Sequence, residues 1–419
     1  MNLRTLCSGL LVGTFGVSSP AWARPDETRG FPLGEKSRIH TSLDLGVGFD
    51  SNPDSRDAAS TVEDWKAHFL PALEIDVPGT SISFNSRAQL TVQQTFGTNA
   101  AKAADTYFGG SLSLGLTAGG SDSVVGFEVQ ESLIRTPTFA GQVDVGSIGA
   151  DEASLVQWYN RGDANLVLRP GGGALEFRLG YGNELRIFDL SSEAQKHQAQ
   201  FEAKLRFLPK TAAVFRADFG FYSEVGARAD DPVYRGNPYN ISIGLLGQVT
   251  TAISAIARVG FGDTLAYAAG EDFFGASNEG SIRSVIANLR LQYTFGNGSN
   301  FALGYDRAMK NAIAVGGGYA SDAPYAKVEI LVGDRFTFGA LGRLDFRTFG
   351  GTSDATSTVV SADVRADYWF FDFLRGGVAY QLLSTSGDGN VAGPGSTLTL
   401  APLREAVRHQ IMLTTGLYY

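Results

Sequence analysis

Apolar and polar residues alternate along most of this chain, and the pattern is clearest where it begins, at residues 38–49. One phase of that segment is apolar, and it consists of Ile39, Thr41, Leu43, Leu45, Val47 and Phe49. The other phase is polar or glycine. Because successive side chains of a strand point to opposite faces, this pattern predicts a strand with one apolar face. The same alternation recurs at residues 65–77, 174–187 and 357–370.

Segments of this kind recur along the whole chain, and most have the length that a tilted strand needs to cross a bilayer. They lie near residues 38–49, 65–77, 81–93, 107–118, 123–134, 156–169, 174–187, 194–207, 212–222, 239–250, 253–264, 283–295, 300–308, 320–332, 335–347, 357–370, 374–383 and 406–419. The sequence therefore predicts an all-β fold, a transmembrane antiparallel up-and-down β-barrel of about 18 strands.

The connections between these segments alternate in length. Short turns are predicted at residues 78–79, 119–120, 170–173, 209–210, 251–252, 296–299, 333–334 and 372. Longer polar loops are predicted at residues 50–64, 94–106, 135–155, 188–193, 223–238, 265–282, 309–319, 348–356 and 384–405. Short turns at one rim and long loops at the other are typical of outer-membrane barrels. Loops 135–155, 265–282 and 384–405 are candidates to fold inward and narrow a pore.

A soluble β-sandwich or propeller also shows alternation, so other signals have to separate the two classes. Aromatic residues gather where the membrane boundaries are expected, as interfacial girdles do. The predicted periplasmic girdle holds Phe295, Phe301, Phe338, Tyr368, Phe370 and Tyr419, and the opposite girdle holds Phe49, Trp65, Phe221, Tyr239 and Phe346. The last segment keeps its apolar phase to Tyr419, as the terminal strand of a membrane barrel does. These signals favour the membrane barrel and the cell outer membrane.

The first residues have the features of a secretory leader. Arg4 precedes a short apolar stretch, and residues 21–23 fit the small-x-small cleavage rule. We predict a signal peptide at residues 1–23, a short periplasmic segment at 24–36 and the barrel at 37–419. The single cysteine, Cys7, lies in the predicted leader, so no disulfide framework is expected. The net charge of −9 argues against a nucleic-acid partner.

If the apolar phase faces lipid, the polar phase lines a lumen that is too wide for side chains alone to fill. So many charges are costly to bury dry, which indicates a water-filled, charge-lined channel. The candidate pore-lining residues are Arg87, Arg178, Arg186, Arg206, Arg216, Arg258, Arg290, Arg343, Arg347, Arg365, Glu184, Asp218, Asp345 and Asp363. Opposed charges such as Arg178 and Glu202 suit a structural role. A track of arginines for an anionic or hydroxyl-rich solute is the functional alternative.

Residues 46–53, with the sequence GVGFDSNP, and the later element FLPAL at residues 69–73 carry a resemblance to a known group of barrels. The chain resembles the β-barrel porin family associated with exopolysaccharide and capsule operons, specifically over residues 43–77 and in architecture beyond them. The resemblance implies an outer-membrane porin that exports a secreted polysaccharide, as the eighteen-stranded alginate exporter does. It implies as partners outer-membrane lipid and lipopolysaccharide, the barrel-insertion machinery and a periplasmic export protein.

Asp50, Asn52 and Asp54 have the first spacings of a calcium-binding loop, but the glycine and glutamate that an EF-hand loop needs are replaced. Capping of the loop through an Asx turn is the preferred interpretation. No nucleophile elbow, zinc-protease motif or P-loop is present, so no enzyme and no cofactor are expected. Three functions stay open: a polysaccharide-export pore, a general or substrate-selective nutrient diffusion porin, and a sealed adhesin or structural barrel.

Overall fold

The computed structural model describes residues 30–52, 63–97, 105–120, 122–137, 156–188, 193–225, 234–268, 282–312, 317–349, 356–388 and 405–419. The predicted signal peptide lies outside these residues, as do Asp54 and most of the three loops named as candidates to narrow the pore. Within the described part of the chain there is no helix long and apolar enough to cross a membrane.

One sheet of nineteen strands dominates the structure. One member is the two-residue strand Phe31–Pro32, which pairs with the first long strand. The other eighteen are numbered here in chain order: β1 Arg38–Asp50, β2 Asp64–Val77, β3 Ile82–Gly97, β4 Asp105–Ala118, β5 Val125–Pro137, β6 Val156–Leu168, β7 Leu175–Phe188, β8 Glu193–Leu208, β9 Thr211–Val225, β10 Tyr239–Gln248, β11 Ile253–Asp263, β12 Arg283–Thr294, β13 Asn300–Ala312, β14 Gly317–Val332, β15 Phe336–Phe349, β16 Thr356–Phe371, β17 Leu374–Asp388 and β18 Ala406–Tyr418.

The eighteen strands close into an antiparallel up-and-down barrel, which confirms the predicted fold class. Each strand pairs with the next along the chain. The last strand, β18, pairs with β1 from Ser42 opposite Tyr418 to Asp50 opposite Gln410. Closure removes the two free edges of the sheet and lets the backbone polar groups of the wall bond within the wall, as a lipid environment requires.

The two rims differ as predicted. At one rim, the inner rim, adjacent strands are joined by turns such as residues 209–210 and 333–335. The turn at residues 169–174 contains Gly171, Gly172 and Gly173, whose φ angles of 71°, 76° and 88° suit only glycine. At the opposite rim, the outer rim, the connections are mostly longer, and only parts of them are described. By the outer-membrane pattern, the inner rim is periplasmic.

The two phases of the strands face different surroundings. Large apolar side chains of one phase are exposed on the outside of the wall, among them Val47, Leu90, Ile243, Val259 and Leu413. The polar phase faces inward, and many of its charged groups are buried, including Asp44, Lys66 and Arg408. An apolar outer face around a polar interior is the arrangement of a membrane barrel and the reverse of a soluble one.

Aromatic side chains are exposed on the outer face near both rims, where the sequence placed girdles. At the inner rim Phe295, Phe370 and Tyr419 are 46%, 51% and 57% exposed. Phe31 adds to this girdle, because its ring lies 4.6 Å from the ring of Tyr419. The short strand Phe31–Pro32 thereby lies beside the point where β1 meets β18.

Several strands extend further toward the outer rim than the alternation predicted. β13 and β14 leave only residues 313–316 between them, whereas a loop over 309–319 was expected. β17 reaches Asp388 instead of residue 383. Two short strands, Tyr234–Gly236 and Ala266–Ala268, pair with each other in regions predicted as loops.

The junction of β1 and β18 is fastened near the outer rim by the Asp50 cluster, which comprises Asp50, Asn52, Lys66, Arg408 and Gln410. Arg408 on β18 donates to the Asp50 carboxylate at 2.9 and 2.5 Å. Lys66 on β2 and Gln410 on β18 donate to the same carboxylate at 2.7 and 2.8 Å. The Asp50 side chain is only 1% exposed. One carboxylate therefore holds three neighbouring strands together.

A second group, the Asp44 cluster, fastens the same junction nearer the inner rim. Asp44 on β1 accepts hydrogen bonds from Arg375 of β17 at 2.9 Å and from the Tyr418 hydroxyl of β18 at 2.6 Å. The Arg375 guanidinium also lies over the Tyr418 ring and 3.7 Å from Asp367. Trp369 packs on Tyr418, with ring centroids 5.1 Å apart. This cluster links β16, β17, β18 and β1.

The Asp50 cluster also answers the question of a calcium loop. The Asp50 carboxylate already receives two cations, Arg408 and Lys66, so it has little to offer a metal ion. The backbone amide of Asn52 donates to Asp50 at 3.3 Å, which is the predicted Asx turn. The Asn52 side chain donates to the carbonyl of Val407 at 3.2 Å. The DSN stretch that carries the family resemblance is thus used to join β1 to β18.

Replacing Asp50 by asparagine tests the role of this cluster. The variant leaves a guanidinium and an ammonium buried without their carboxylate, so we expect a loss of about 3 kcal/mol in the free energy of unfolding. Urea unfolding in lipid vesicles, followed by tryptophan fluorescence, measures it. The control is Glu74→Gln, because Glu74 and Arg87 are 3.7 Å apart and each 27% exposed. Equal unfolding midpoints for the two variants would contradict the assignment.

Candidate functional site

The lumen face of the wall is polar all around, and strand register fixes which residues share it. The candidate pore-lining residues all occupy the phase opposite the exposed apolar side chains. On neighbouring strands, for example, Arg216 lies opposite Glu202, and Arg343 lies opposite Tyr325 and Ser361. For Arg186 only the register position, opposite Tyr159 and Ala194, is described.

Most of the candidate arginines form ion pairs with carboxylates of the wall. The nitrogen–oxygen distances are 2.9 Å for Arg216 and Asp218, 3.2 Å for Arg347 and Asp345, and 2.5 Å for Arg365 and Asp367, and Arg161, which was not a candidate, pairs with Asp163 at 2.8 Å in the same way. Each of these pairs joins residues two apart on one strand, which a period of two places on the same face. Such pairs cancel their own charge, so they shape the wall more than they attract solutes.

One expected interaction turns out differently, and one candidate pair is buried. Arg178 lies opposite Glu202 in the register, but its guanidinium reaches Glu128 at 3.2 Å and Glu176 at 4.0 Å instead. Arg347 and Asp345 are only 7% exposed, and Asp345 also accepts from Ser321 at 2.6 Å. Both residues keep the lumen phase of β15 but are buried, and their role as pore-lining residues stays a prediction.

Arg258 on β11 and Arg290 on β12 differ from the other candidates, because amide oxygens take the place of carboxylates beside them. Arg258 donates to Asn288 at 3.2 Å, and Arg290 donates to Gln292 at 2.6 Å. Among the described residues no carboxylate lies within 4 Å of either guanidinium. The Nε atom of Arg290 is buried and has no hydrogen-bond partner in the described structure. These two residues, named here the arginine pair, make no direct ion pair with the described wall.

The surroundings of the arginine pair extend across the neighbouring strands. One row of the register runs from Arg290 through Gly304 and Tyr325 to Arg343. The Tyr325 ring lies over Gly304, where a Cβ atom would collide with it. Arg343 is 3.9 Å from Asp306, a loose ion pair in which both side chains are 31% exposed. Arg258 is also within electrostatic range of Arg216 and of three carboxylates, those of Glu202, Asp218 and Asp306.

The wall across the lumen is different. In a ring of eighteen strands β3 lies opposite β12. The lumen positions of β3 and β4 hold mainly amides and hydroxyls, namely Asn85, Gln89, Thr91, Gln93, Ser111 and Ser113. Two charged residues share this phase: Arg87, which faces Glu74 of β2, and Asp105, for which only the register position opposite Thr95 is described. The two described walls therefore differ: one carries guanidinium groups without a direct carboxylate partner, and the other carries mainly neutral hydrogen-bonding groups.

Sequence reasoning missed some of these features. Arg375 and Tyr325 were not singled out, although both follow the lumen phase of their strands. No group of three or more metal-binding side chains is found in the described ranges.

No protein-family model and no curated protein matches this chain. Solved structures of outer-membrane proteins do. OpdK of Pseudomonas aeruginosa is 16% identical, over 91% of this chain and 99% of that chain, with a TM-score of 0.46. OccAB4 of Acinetobacter baumannii is 10% identical, over 91% and 98%, with a TM-score of 0.45. OccK5 of P. aeruginosa is 12% identical, over 91% and 98%, with a TM-score of 0.44. These are remote likenesses of the chain trace.

The closed barrel and its apolar outer face place this chain in the outer membrane. Its candidate functional site is the arginine pair with the row of Tyr325 and Arg343 beside it. Guanidinium groups in such a wall bind carboxylates through two parallel hydrogen bonds.

Cysteine scanning tests the facing of the arginine pair. With its one cysteine in the predicted leader, the chain offers a thiol-free background. We expect Arg258→Cys and Arg290→Cys to react with a charged, membrane-impermeant methanethiosulfonate and to change the single-channel conductance. The controls Val259→Cys and Leu289→Cys replace side chains that are 56% and 47% exposed on the lipid side, and they should not react. The reverse pattern of reactivity would overturn the assignment of faces.

Proposed function

We propose that this protein is an outer-membrane diffusion porin whose water-filled lumen favours small anionic solutes, carboxylates in particular. The observation that carries the proposal is the arginine pair, since Arg258 and Arg290 stand in the lumen wall without carboxylate partners. A diffusing carboxylate can form the ion pair that these two guanidinium groups lack in the wall. The channel needs no catalytic group, and the protein is not an enzyme in this account.

The geometry supports passage as well as attraction. Porins of sixteen to eighteen strands leave an aqueous channel, because side chains do not fill so wide a barrel. Arg343 and Arg216 lie beside the arginine pair and are 31% and 29% exposed, so water reaches this wall. Weak binding at several neighbouring sites concentrates a solute without trapping it, which is what conduction requires.

Solute uptake into proteoliposomes tests the proposal. We expect succinate to enter faster than a neutral polyol of similar size, and the double variant Arg258→Gln with Arg290→Gln to reduce this preference roughly fivefold, as the loss of partly hydrated charged contacts implies. The control is Arg216→Gln with Asp218→Asn, which removes a compensated pair and should keep the preference. No preference in the wild type, or an unchanged one in the first variant, would refute anion selection.

Export of a polysaccharide is the second candidate, and the resemblance over residues 43–77 is the observation that favours it. The amide and hydroxyl wall of β3 and β4 also suits a hydroxyl-rich chain. Against it, Asp50 and Asn52 of the resembling segment are engaged in strand closure. Deletion of the gene followed by an assay of surface polysaccharide separates the candidates. Unchanged secretion removes the export function and the periplasmic export partner that it needs.

A further inference from the structure

The wall of the barrel has a gap between β12 and β13 in its outer half. The hydrogen-bonded ladder between these strands ends at Ala287 opposite Arg307. β12 nevertheless begins four residues further out, at Arg283, and β13 continues for five more residues, to Ala312. Over this length each strand still pairs on its other side, β12 with β11 and β13 with β14. We call the unpaired stretch the slit.

Among the described strand pairs, β12 and β13 differ from the others in how early their hydrogen-bonded ladder ends. Between all other neighbouring strands, the ladder reaches within two residues of the outer end of at least one strand. An open ladder is costly at membrane depth, because unpaired backbone groups lack partners in lipid. Its presence where both strands continue therefore calls for a physical explanation.

One flexible side chain fills the slit. Met309 belongs to the phase of β13 that faces lipid, as Leu303 does with 48% exposure. Its Cε atom nevertheless lies 2.6 Å from where a Cβ atom of Gly262 would stand, on the lumen side of β11. The Met309 side chain thus extends from β13 across the slit toward the lumen side of β11. Ile286 and Ala308, the next positions of the lumen phase, border the same opening.

A group of polar contacts, named here the latch, spans the slit. The Arg307 guanidinium donates to the carbonyl of Val285 at 3.1 Å and to the Ser284 hydroxyl at 3.0 Å. It also donates to both carboxylate oxygens of Asp322 on β14 at 3.0 Å. The Tyr305 hydroxyl donates to Asp322 as well. Side-chain bonds thereby replace the missing backbone bonds between β12 and β13.

The slit lies at the level of the outer leaflet. The exposed apolar side chains of Phe261, Val285 and Phe346 flank it on the lipid side and are 42%, 51% and 48% exposed. Phe261 and Val285 are direct neighbours in the register, and Phe346 lies opposite Asp322. Aromatic and branched side chains in this position mark the boundary of the apolar layer.

The slit also opens directly above the arginine pair. Arg290 lies on β12 in the same phase as Ile286 and four residues below it, about 13 Å along the strand. Arg258 lies on the adjoining strand, β11. A solute whose anionic head is held by the two guanidinium groups would therefore have its apolar part at Ile286, Ala308 and Met309.

The geometry points to a lateral portal between the lumen and the outer leaflet, used by amphipathic anions whose apolar tail passes the slit. This inference rests on the proposed function, since it takes the arginine pair as the site of the head group. Met309 is the movable plug, and the bonds of Arg307 to β12 and β14 keep the slit closed when no tail occupies it. Small hydrophilic anions use the lumen alone and do not need the portal.

Locking the slit tests the portal. Ile286→Cys with Ala308→Cys, joined by a short bifunctional maleimide, ties the strands together where the next rung would stand. Vesicles with lipopolysaccharide in the outer leaflet receive radiolabelled decanesulfonate, which stays charged, or succinate. We expect locking to reduce decanesulfonate uptake severalfold and to leave succinate uptake unchanged. The matched control, Ala308→Cys with Ser321→Cys, joins paired residues of β13 and β14 and should change neither.

A second variant tests the portal independently, in case the cross-linked protein does not fold. Arg307→Gln with Asp322→Asn removes the latch and should raise decanesulfonate uptake without changing succinate uptake. Normal decanesulfonate uptake through the locked slit, or no increase in the latch variant, would overturn the portal. If instead succinate uptake is indifferent to Arg258→Gln with Arg290→Gln, the proposed anion channel itself fails, and the two failures are distinguished.

Discussion

The structure depends on the closure of the sheet between its first and last strands. An open sheet in lipid would leave a row of backbone donors and acceptors without partners, so β1 and β18 have to meet in one register. Two buried carboxylates, Asp44 and Asp50, specify that register, because each reaches cations or hydroxyls on the strands across the junction. A shift by one residue would turn both carboxylates toward lipid. Ion pairs and hydrogen bonds thus fix the register between β1 and β18, whereas the apolar outer face keeps the barrel in the lipid.

Once the wall is closed, its inner face has to hold many charges that water only partly reaches. Several of these charges are neutralised within one strand, where an arginine and an aspartate stand two residues apart. Examples are Arg216 with Asp218 and Arg365 with Asp367. Where that pattern is broken, charge remains available to a solute. Arg258 and Arg290 have Gly260 and Gln292 at the corresponding positions, and their amide neighbours hold them without neutralising them. The candidate site therefore lacks the direct ion pairs that many other described arginines of the lumen form.

The fold was predictable because one face of each strand lies against lipid. Apolar residues therefore recur at every second position of the strand. The prediction stopped short where that contrast fades, near the outer rim. There both faces of a strand meet polar surroundings, so residues 309–312 and 384–388 were read as loop although they pair. The lumen phase of the arginines was also readable from alternation. Their charge partners were not, because a guanidinium at Arg178 can choose between carboxylates on three strands, and the choice depends on side-chain reach.

The slit beside β13 was beyond sequence reasoning for a different reason. Nothing in the alternation of β12 or β13 marks the point at which their mutual ladder ends. Arg307 and Asp322 on the lipid phase were the available signal, since charges facing lipid are expensive and need a local explanation. In the structure they replace backbone bonds that the strands do not form.

Arg258 and Arg290 place positive charge without a direct carboxylate partner in the wall of an open lumen. The reversal potential of single channels of the wild-type protein in a planar bilayer under a KCl gradient tests this directly. We expect a conducting pore whose reversal potential has the sign of preferential chloride permeation. A cation-selective pore, or a folded barrel that does not conduct, would contradict this expectation.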